Sequence, residues 1–261
     1  MPSHNDAYLN DGNTYTDKFI DQHVNFTIYN ATNRTVEPIK TDAMTTYKYS
    51  SEEIHKGLER AVNALLARKV KVIVGDCGFS SGIQEIVTNI IRKSKFVKSL
   101  QPPCLMSTLT MLPTMLKMIA KDQVVLVLTS NGASFEEMFE KLTDGTSKDQ
   151  VKVLGLENVP GFGDEVRKGT SVNRTEAGPG IKKEIEIKII ELETENKTLG
   201  GILCECSELP AYSNLLREKF GVPVFDAMTA ASFVADAIKP NPAFHYAFAL
   251  HVPIANDGRS H

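Results

Sequence analysis

The chain has 261 residues, of which 42% are hydrophobic and 23% are charged, which allows a large buried core and is unlike a disordered chain. Its net charge of −3 and its sequence pI near 6.1 come without the basic cluster that nucleic-acid binding requires. No apolar run approaches the roughly 18 residues that cross a bilayer. We therefore expect neither a nucleic acid nor a membrane as a partner.

The N-terminal segment 1–22 is polar and has neither the basic and apolar regions of a secretory signal nor the arginines of a transit peptide. Four cysteines in so long a chain do not make a disulfide framework, so we expect reduced thiols and a cytoplasmic protein. The spacing of the cysteines and histidines matches no common zinc site, and we expect no metal.

The hydrophobic pattern alternates between helices and strands. A strand or hairpin arm is expected over 23–39, and the capping-box spacing of Ser50 and Glu53 begins a helix that ends near Lys69. Strands are predicted at 70–74, near Cys104, and at 124–128, 151–156, 201–205 and 223–226. Helices are predicted at 82–94, 110–121, 135–142, 180–196, 210–220 and 227–238, with a loop over 157–169 and a surface stretch after Pro240. This alternation indicates parallel sheets with helices on both faces.

One order of features occurs twice. An apolar strand ends in Asp76 and Cys77, and a second one ends in Glu205 and Cys206. In each case a helix follows, and then a proline precedes a short strand. The repeat predicts an α/β fold of two pseudo-symmetric lobes with parallel sheets flanked by helices and a cleft between them. We place the lobes after the polar segment 1–22, the first at 23–128 with 223–261 and the second at 129–222.

Ligands of open α/β sheets bind outside the carboxyl ends of the strands, so the two strand-end cysteines are expected at the cleft. The glycines on either side of Cys77 would let the backbone approach a small ligand. Unpaired amides at a helix N-terminus favour a thiolate and lower the pKa of its thiol. Those amides would also hold a substrate carboxylate, helped by the hydroxyl of Ser207.

Two such thiols suit proton transfer at a carbon beside a carboxylate, because one can remove a proton while the other delivers one or assists binding. A cysteine on an apolar strand is more often a small buried hydrophobic residue. We apply that structural interpretation to Cys104 and Cys204, and the functional one to Cys77 and Cys206, since the repeat singles them out.

The motifs around these cysteines are GDCGF (75–79), MSTLTMLP (106–113), TSNG (129–132), ENVPGF (157–162), ECSELP (205–210) and GVPVFDAMTA (221–230). Together they resemble the aspartate/glutamate racemase superfamily, and within it the Alma-type dimethylsulfoniopropionate lyases of algae and corals. The similarity extends over about residues 45–245, which is most of the chain.

The resemblance implies a cofactor-independent lyase that cleaves dimethylsulfoniopropionate to dimethyl sulfide and acrylate. Cys77 or Cys206, as a thiolate, would remove the proton beside the carboxylate, and we assign the base to Cys77. Substrate-binding candidates lie in the same motifs: Gly78, Phe79, Ser107, Thr129, Asn131, Ser207 and Glu208. The rings of Phe79, Phe162 and Tyr212 are candidates for a cation–π contact with the sulfonium. The family also implies a homo-oligomer, a dimer or a tetramer.

Two alternatives stay open. A two-cysteine amino-acid racemase of the aspartate/glutamate type would use both thiols, and Asp76, Glu205 or Glu208 would then pair with the substrate ammonium. Residues 1–22 lack the apolar first strand with which this family usually begins, which favours an inactive small-carboxylate-binding relative. Exchange of the α proton separates either enzyme from a binding protein, and release of dimethyl sulfide separates the lyase from the racemase.

Overall fold

The computed structural model describes residues 52–67, 69–75, 78–97, 101–133, 135, 148–168 and 170–238. The expected strand over 23–39, most of the helix over 135–142 and the stretch after Pro240 therefore lie outside the described residues. Among the helices of the described ranges, none has the length and apolar character needed to cross a bilayer.

Helices and strands alternate along the described chain. They are α1 (Glu52–Ala67), β1 (Ile73–Val74), α2 (Gln84–Lys93), β2 (Cys104–Leu105), α3 (Leu112–Met118), β3 (Gln123–Thr129), β4 (Val151–Gly155), α4 (Gly163–Lys168), α5 (Arg174–Thr194), β5 (Thr198–Cys204), α6 (Ser213–Phe220), β6 (Val224–Phe225) and α7 (Ala227–Ala237). Short 3-10 helices occupy Gly78–Ile83, Thr108–Met111, Lys148–Gln150 and Pro210–Tyr212.

The larger sheet contains four parallel strands in the order β4-β3-β5-β6. Its central strand β3 is a continuous aliphatic run because both faces are covered. Leu126 and Leu128 pack in one core cluster with residues of α5 and α6. Val125 and Val127 point to the other face and pack with residues of α3 and α7. All four side chains are fully buried, as expected for a parallel sheet between two helical layers.

A second, smaller sheet contains β1 and β2, which are parallel and pair Ile73 with Cys104 and Val74 with Leu105. Helices α1 and α2 cover it through a separate apolar cluster that includes Val62, Leu66, Val87 and Ile91. The parallel sheets flanked by helices that the sequence predicted are therefore confirmed. The lobe boundaries stay a prediction, although β3 and β6 share one sheet with β4 and β5.

The internal repeat has a direct structural counterpart in the two strand–helix–strand units. The N–H of Ile73 donates to the carbonyl of Pro103 at 3.0 Å, and the N–H of Ile202 donates to the carbonyl of Pro223 at 2.9 Å. Ile202 is then paired with Val224 as Ile73 is with Cys104. In each unit the hydrogen bonds between the two strands thus include one to a proline carbonyl just before the second strand. In the sequence the acid–cysteine pair follows the first strand.

Several predicted boundaries differ from those of the structure. The long helix begins at Arg174 rather than at residue 180, and it runs through Pro179. A proline inside a helix costs about 3 kcal/mol, but the residues around Pro179, Ala177 and Ile181 among them, are buried in the core. The predicted loop over 157–169 contains the short helix α4, and the helix predicted over 110–121 is a 3-10 turn followed by α3.

Candidate active site

The larger sheet has a topological switch point between β3 and β5. The chain leaves β3 towards β4 on one side, whereas it leaves β5 towards β6 on the other. The two strands are neighbours, with Leu128 paired with Cys204 at their carboxyl ends. A crevice outside two strand ends of this kind is where open α/β sheets bind ligands. The structure brings Thr129, Asn131 and Cys206 to this edge.

Cys206 lies in a turn immediately after β5, and the N–H of Leu209 donates to its carbonyl at 3.0 Å. Only 6% of the residue is exposed. Burial, and next the charge of Glu205, raise the pKa of the thiol to about 12, while the backbone of Glu208 and the hydroxyl of Ser130 favour the thiolate. The free protein therefore holds Cys206 as a neutral thiol at neutral pH.

The expectation that a helix N-terminus lowers the pKa of this cysteine was wrong for Cys206. The next 3-10 helix begins at Pro210, which has no N–H to offer, and the α-helix α6 begins only at Ser213. The dipole effect falls off within one helical turn, so burial of the thiol outweighs it.

Cys77 and Asp76 lie outside the described residues, but the chain on either side of them is hydrogen-bonded. The N–H of Gly75 donates to the carbonyl of Leu105 at 2.8 Å, and the N–H of Gly78 donates to the carbonyl of Glu205 at 2.8 Å. The residue after Cys77 is thus bonded to the residue before Cys206. The meeting of the two thiols at one cleft stays a prediction.

Glu205 is the charged residue at the centre of this edge, and it is only 1% exposed. Its Oε1 accepts a short hydrogen bond from the hydroxyl of Thr129. That hydroxyl oxygen accepts in turn from the N–H of Asn131 at 3.2 Å. Oε2 has no hydrogen-bond partner among the described residues. Burial raises the pKa of the carboxyl to about 7, against the opposing effects of the Thr129 hydroxyl and of the Gly78 backbone.

Gly78 packs directly against this carboxyl group. A Cβ atom at position 78 would lie 1.9 Å from Oε2 of Glu205 and 2.8 Å from its Cδ. Only glycine fits there without moving the buried carboxyl. The approach of the glycines to a small ligand stays a prediction.

The other predicted site residues have varied surroundings. Ser107 is buried, and its Oγ accepts from the N–H of Leu109 at 3.1 Å, which caps the 3-10 helix. Phe79 lies in the 3-10 helix Gly78–Ile83, and its side chain lies outside the described part. Ser207 and Glu208 are half-buried in the turn after Cys206.

The candidate aromatic residues Phe162 and Tyr212 belong to the core. Their rings pack edge to face with centroids 6.2 Å apart, in the same cluster as Leu209 and Cys206. Phe162 is fully buried, and Tyr212 is 4% exposed. The structure thus gives both rings a packing role.

Cys204 has the buried surroundings expected of it, whereas Cys104 is half-buried and its sulfur contacts polar side chains. The Sγ of Cys104 accepts from Nε2 of Gln84 at 3.2 Å and lies 3.3 Å from the hydroxyl of Thr88. Cys204 is 1% exposed within β5, and burial raises the pKa of its thiol. In the described ranges, no cluster of histidine, cysteine and carboxylate side chains could hold a metal ion.

Sequence reasoning underestimated two residues of this edge. Glu205 was considered only as a partner for an ammonium group, and Ser130, whose hydroxyl favours the Cys206 thiolate, was not considered. The signal for Glu205 was its place in the repeat, where it corresponds to Asp76. For Ser130 the only signal was its position directly after a buried strand.

The relatives of this chain by sequence are lyases. Dimethylsulfoniopropionate lyase 5 of Emiliania huxleyi (strain CCMP1516) is 34% identical over 197 residues, 72% of this chain and 36% of that protein. Dimethylsulfoniopropionate lyase 3 of the same organism is 31% identical over 188 residues, 70% of this chain and 46% of that protein. The expected resemblance to the dimethylsulfoniopropionate lyases is confirmed.

A dimethylsulfoniopropionate lyase of Durusdinium sp. clade D is also similar, at 28% identity over 74% of this chain and 62% of its own. The chain therefore spans between about a third and two thirds of the length of the curated relatives it matches. No protein-family model matches the chain.

Solved structures that align with this chain include two racemases. Allantoin racemase from Klebsiella pneumoniae aligns with a TM-score of 0.46 and 14% identity over 71% of this chain and 66% of that one. Glutamate racemase from Francisella tularensis aligns with a TM-score of 0.43 and 15% identity over 70% of this chain and 61% of that one.

Proposed function

We propose that this chain is a lyase that cleaves dimethylsulfoniopropionate to dimethyl sulfide and acrylate. The observation that carries the proposal is the similarity to lyases of that name, at 31% to 34% identity over 70% to 72% of the chain. The position of Cys206 and Glu205 at the switch point of the larger sheet supports it, since ligands of such sheets bind there.

The reaction is a β-elimination across the two carbons between the carboxylate and the sulfonium. A cysteine thiolate takes the proton from the carbon beside the carboxylate, and the electrons of that C–H bond form the new C=C bond. The bond from the neighbouring carbon to sulfur breaks, and its electron pair leaves with the sulfur. The products are neutral dimethyl sulfide, acrylate and a cysteine thiol, which returns its proton to water. Apart from the water that takes up this proton, every step uses only groups of the chain and of the substrate.

We assign the base to Cys77 and a supporting role to Cys206. The raised pKa of Cys206, about 12, favours a neutral thiol in the free protein, and a neutral thiol is a poor base. Such a thiol can still donate a hydrogen bond to the substrate or exchange a proton with it. The proposal keeps two further expectations, the homo-oligomer that the family implies and the cytoplasmic setting that the cysteine content indicates. Size-exclusion chromatography with light scattering tests the former.

The direct test is to incubate the purified, reduced protein with dimethylsulfoniopropionate and to measure both products. Headspace gas chromatography should detect dimethyl sulfide, and chromatography of the solution should detect acrylate in equal amount. A folded, reduced protein that releases neither product would contradict the lyase proposal.

A second candidate, the two-cysteine racemase, is favoured by the structural repeat. The first strands of the two strand–helix–strand units are paired in the same way, and in the sequence each is followed by an acid–cysteine pair. Two such cysteines would suit two bases that act on opposite faces of one carbon. In deuterated water a racemase would exchange the α proton of an amino acid and invert its configuration, and it would release no dimethyl sulfide. Aspartate and glutamate are the first substrates to try.

A further inference from the structure

Ser130 and Cys206 lie side by side just beyond the two strands of the switch point. The parallel strands β3 and β5 pair in register as far as Leu128 and Cys204. The strands stay bonded past that pair, because the N–H of Glu205 donates to the carbonyl of Leu128 at 3.1 Å. Two residues further along each chain, the same register brings Ser130 level with Cys206.

The alternation of side chains puts the hydroxyl and the thiol on one face of the sheet. Cys204 and Cys206 pack in the same core cluster. The side chains between them in register, Thr129 and Glu205, are hydrogen-bonded to each other and belong to the other face, since successive side chains alternate. The hydroxyl of Ser130 is accordingly hydrogen-bonded to the thiol of Cys206, where it favours the thiolate.

The two members of this pair differ in their access to water. Cys206 is only 6% exposed, whereas Ser130 is half-buried and the chain is exposed at Ala133. The thiol therefore has little direct contact with solvent, and the residue bonded to it has more. A serine hydroxyl both donates and accepts hydrogen bonds, so it can take a proton from sulfur while it passes its own proton outward.

We propose that Ser130 is a positioning residue that holds the thiol proton of Cys206 and relays it to solvent. The inference rests on the proposed function, in which Cys206 exchanges a proton with the substrate. When the proton leaves, the electron pair of the S–H bond stays on sulfur. The proton forms an O–H bond with Oγ of Ser130, and the former hydroxyl proton passes to water. The reverse sequence restores the thiol.

A relay of this kind has a clear use at a buried acid–base group. If Cys206 gains or loses a proton at the substrate, it must recover its resting state before the next turnover. The backbone of Glu208, which also favours the thiolate, stabilises the sulfur between the two transfers. The same relay would serve a lyase or a racemase, so it can be tested on the protein without substrate.

The test follows the S–H stretching band of Cys206 by infrared spectroscopy after transfer of the protein into deuterated buffer. The band of this thiol is the one that Cys206→Ala lacks, and its decay gives the rate of S–H to S–D exchange. The rate is compared among the wild type, Ser130→Ala, Ser130→Thr and Thr88→Val. Thr88→Val is the matched control, because it removes a hydroxyl that lies 3.3 Å from the Sγ of a different thiol, Cys104.

Ser130→Ala should slow the exchange of the Cys206 proton about tenfold or more, the factor expected for loss of a hydrogen bond to the thiolate that forms during transfer. Ser130→Thr keeps a hydroxyl and should retain the wild-type rate, and Thr88→Val should leave the rate unchanged. A purely structural role for Ser130 predicts the opposite sign, because looser packing speeds exchange through local opening.

Exchange in Ser130→Ala that is as fast as in the wild type, or faster, overturns the proposal, and so does complete exchange of both proteins within the mixing time. Thermal unfolding confirms that each variant is folded. The wild type alone provides a second measurement. A hydrogen bond to Ser130 should lower the stretching frequency of the Cys206 S–H group, so a band at the frequency of an unbonded thiol also overturns the relay.

Two outcomes separate this inference from the proposed function. If no dimethyl sulfide is released but Ser130→Ala slows thiol exchange, the relay stands and the lyase assignment fails. If dimethyl sulfide is released but thiol exchange in Ser130→Ala is unchanged, the lyase stands and the relay is refuted. Where both hold, Ser130→Ala should lower kcat for dimethyl sulfide release at an unchanged KM, and Ser130→Thr should restore it.

Discussion

The N–H of Gly78 donates a hydrogen bond to the carbonyl of Glu205 at 2.8 Å, and this bond joins the residue after Cys77 to the residue before Cys206. A second bond between the smaller and the larger sheet regions runs from the hydroxyl of Thr108, just after β2, to the carbonyl of Cys204 at the end of β5, at 3.2 Å. The two sheets thus meet at the cysteine motifs. Substitutions at this contact should therefore change the stability of the protein.

Gly78→Ala should destabilise the protein, because the new Cβ would meet Oε2 of Glu205 at 1.9 Å and that side chain is fully buried. We expect a loss of about 1–3 kcal/mol in the free energy of unfolding, the usual cost of overpacking, measured by urea denaturation. Gly178→Ala is the matched control, since its Cβ would have ordinary contacts at 3.4 Å inside helix α5. The control should be neutral or stabilising by up to about 1 kcal/mol. Equal effects of the two substitutions would contradict the close approach.

The wild-type protein should lose stability as the pH rises from about 4.5 to about 7, because burial raises the pKa of Glu205 across that range. Between those values the unfolded chain releases the proton of Glu205 while the folded chain keeps it, so unfolding becomes more favourable with rising pH. The loss amounts to about 3 kcal/mol. Glu205→Gln should remove this slope and leave the protein more stable than the wild type at pH 8.

The measurement is urea denaturation at several pH values, with Glu157→Gln as the control that keeps the slope. If the wild type and Glu205→Gln show the same pH dependence, Glu205 does not titrate as a buried, uncompensated group.

Thr129→Val should weaken the protein more at pH 8 than at pH 5. The lost hydroxyl donates to Oε1 of Glu205, and a hydrogen bond to an ionised group contributes about 1.5–3 kcal/mol, roughly twice a neutral one. Without it the pKa of Glu205 should rise further. Thr110→Val removes a hydroxyl that donates to the neutral carbonyl of Ser107 at 2.7 Å, so its cost should be the same at both pH values. A pH-independent cost for Thr129→Val would show that its partner is not ionised.

Cys206 should resist alkylation in the folded protein. The residue is 6% exposed and burial raises the pKa of its thiol to about 12, so at pH 8 very little of it is the reactive thiolate. If Cys77 is the base, iodoacetamide should modify it first, as read by peptide mass spectrometry over time. Cys206 should be labelled only after unfolding in urea. Native labelling of Cys206 faster than that of Cys77 would reverse the roles that we assign to the two thiols.

The sequence allowed the frame of this fold to be predicted where the pattern was dense. The aliphatic run of β3 and the run before Cys204 are short, and their alternation with helices predicted buried parallel strands. The repeated acid–cysteine pair marked the carboxyl ends of two strands as the candidate site. The helix through Pro179 was missed at its start because Gly178, Pro179 and Gly180 are typical helix breakers, whereas the burial that overrides them is a tertiary effect.

The environment of Glu205 could not be predicted, because a glutamate between a strand and a helix is normally exposed to water. Its burial depends on Gly78, which is distant in sequence, and on Thr129 at the end of another strand. The same long-range burial explains why the pKa of Cys206, which was expected to fall, rises instead. Local sequence indicated a helix N-terminus, and the long-range packing that excludes water was not visible in it.

The most direct test of the account is the rate of dimethyl sulfide release from dimethylsulfoniopropionate by the wild type and by Cys77→Ala, Cys206→Ala and Cys104→Ser. Cys104→Ser is the matched control, because it removes a thiol that contacts Gln84 and Thr88 and keeps a polar group in its place. The account predicts that Cys77→Ala abolishes release, that Cys206→Ala lowers it at least a hundredfold, in line with the loss of one acid–base group, and that the control retains it. Full activity in Cys77→Ala would contradict the central claim that this cysteine is the base.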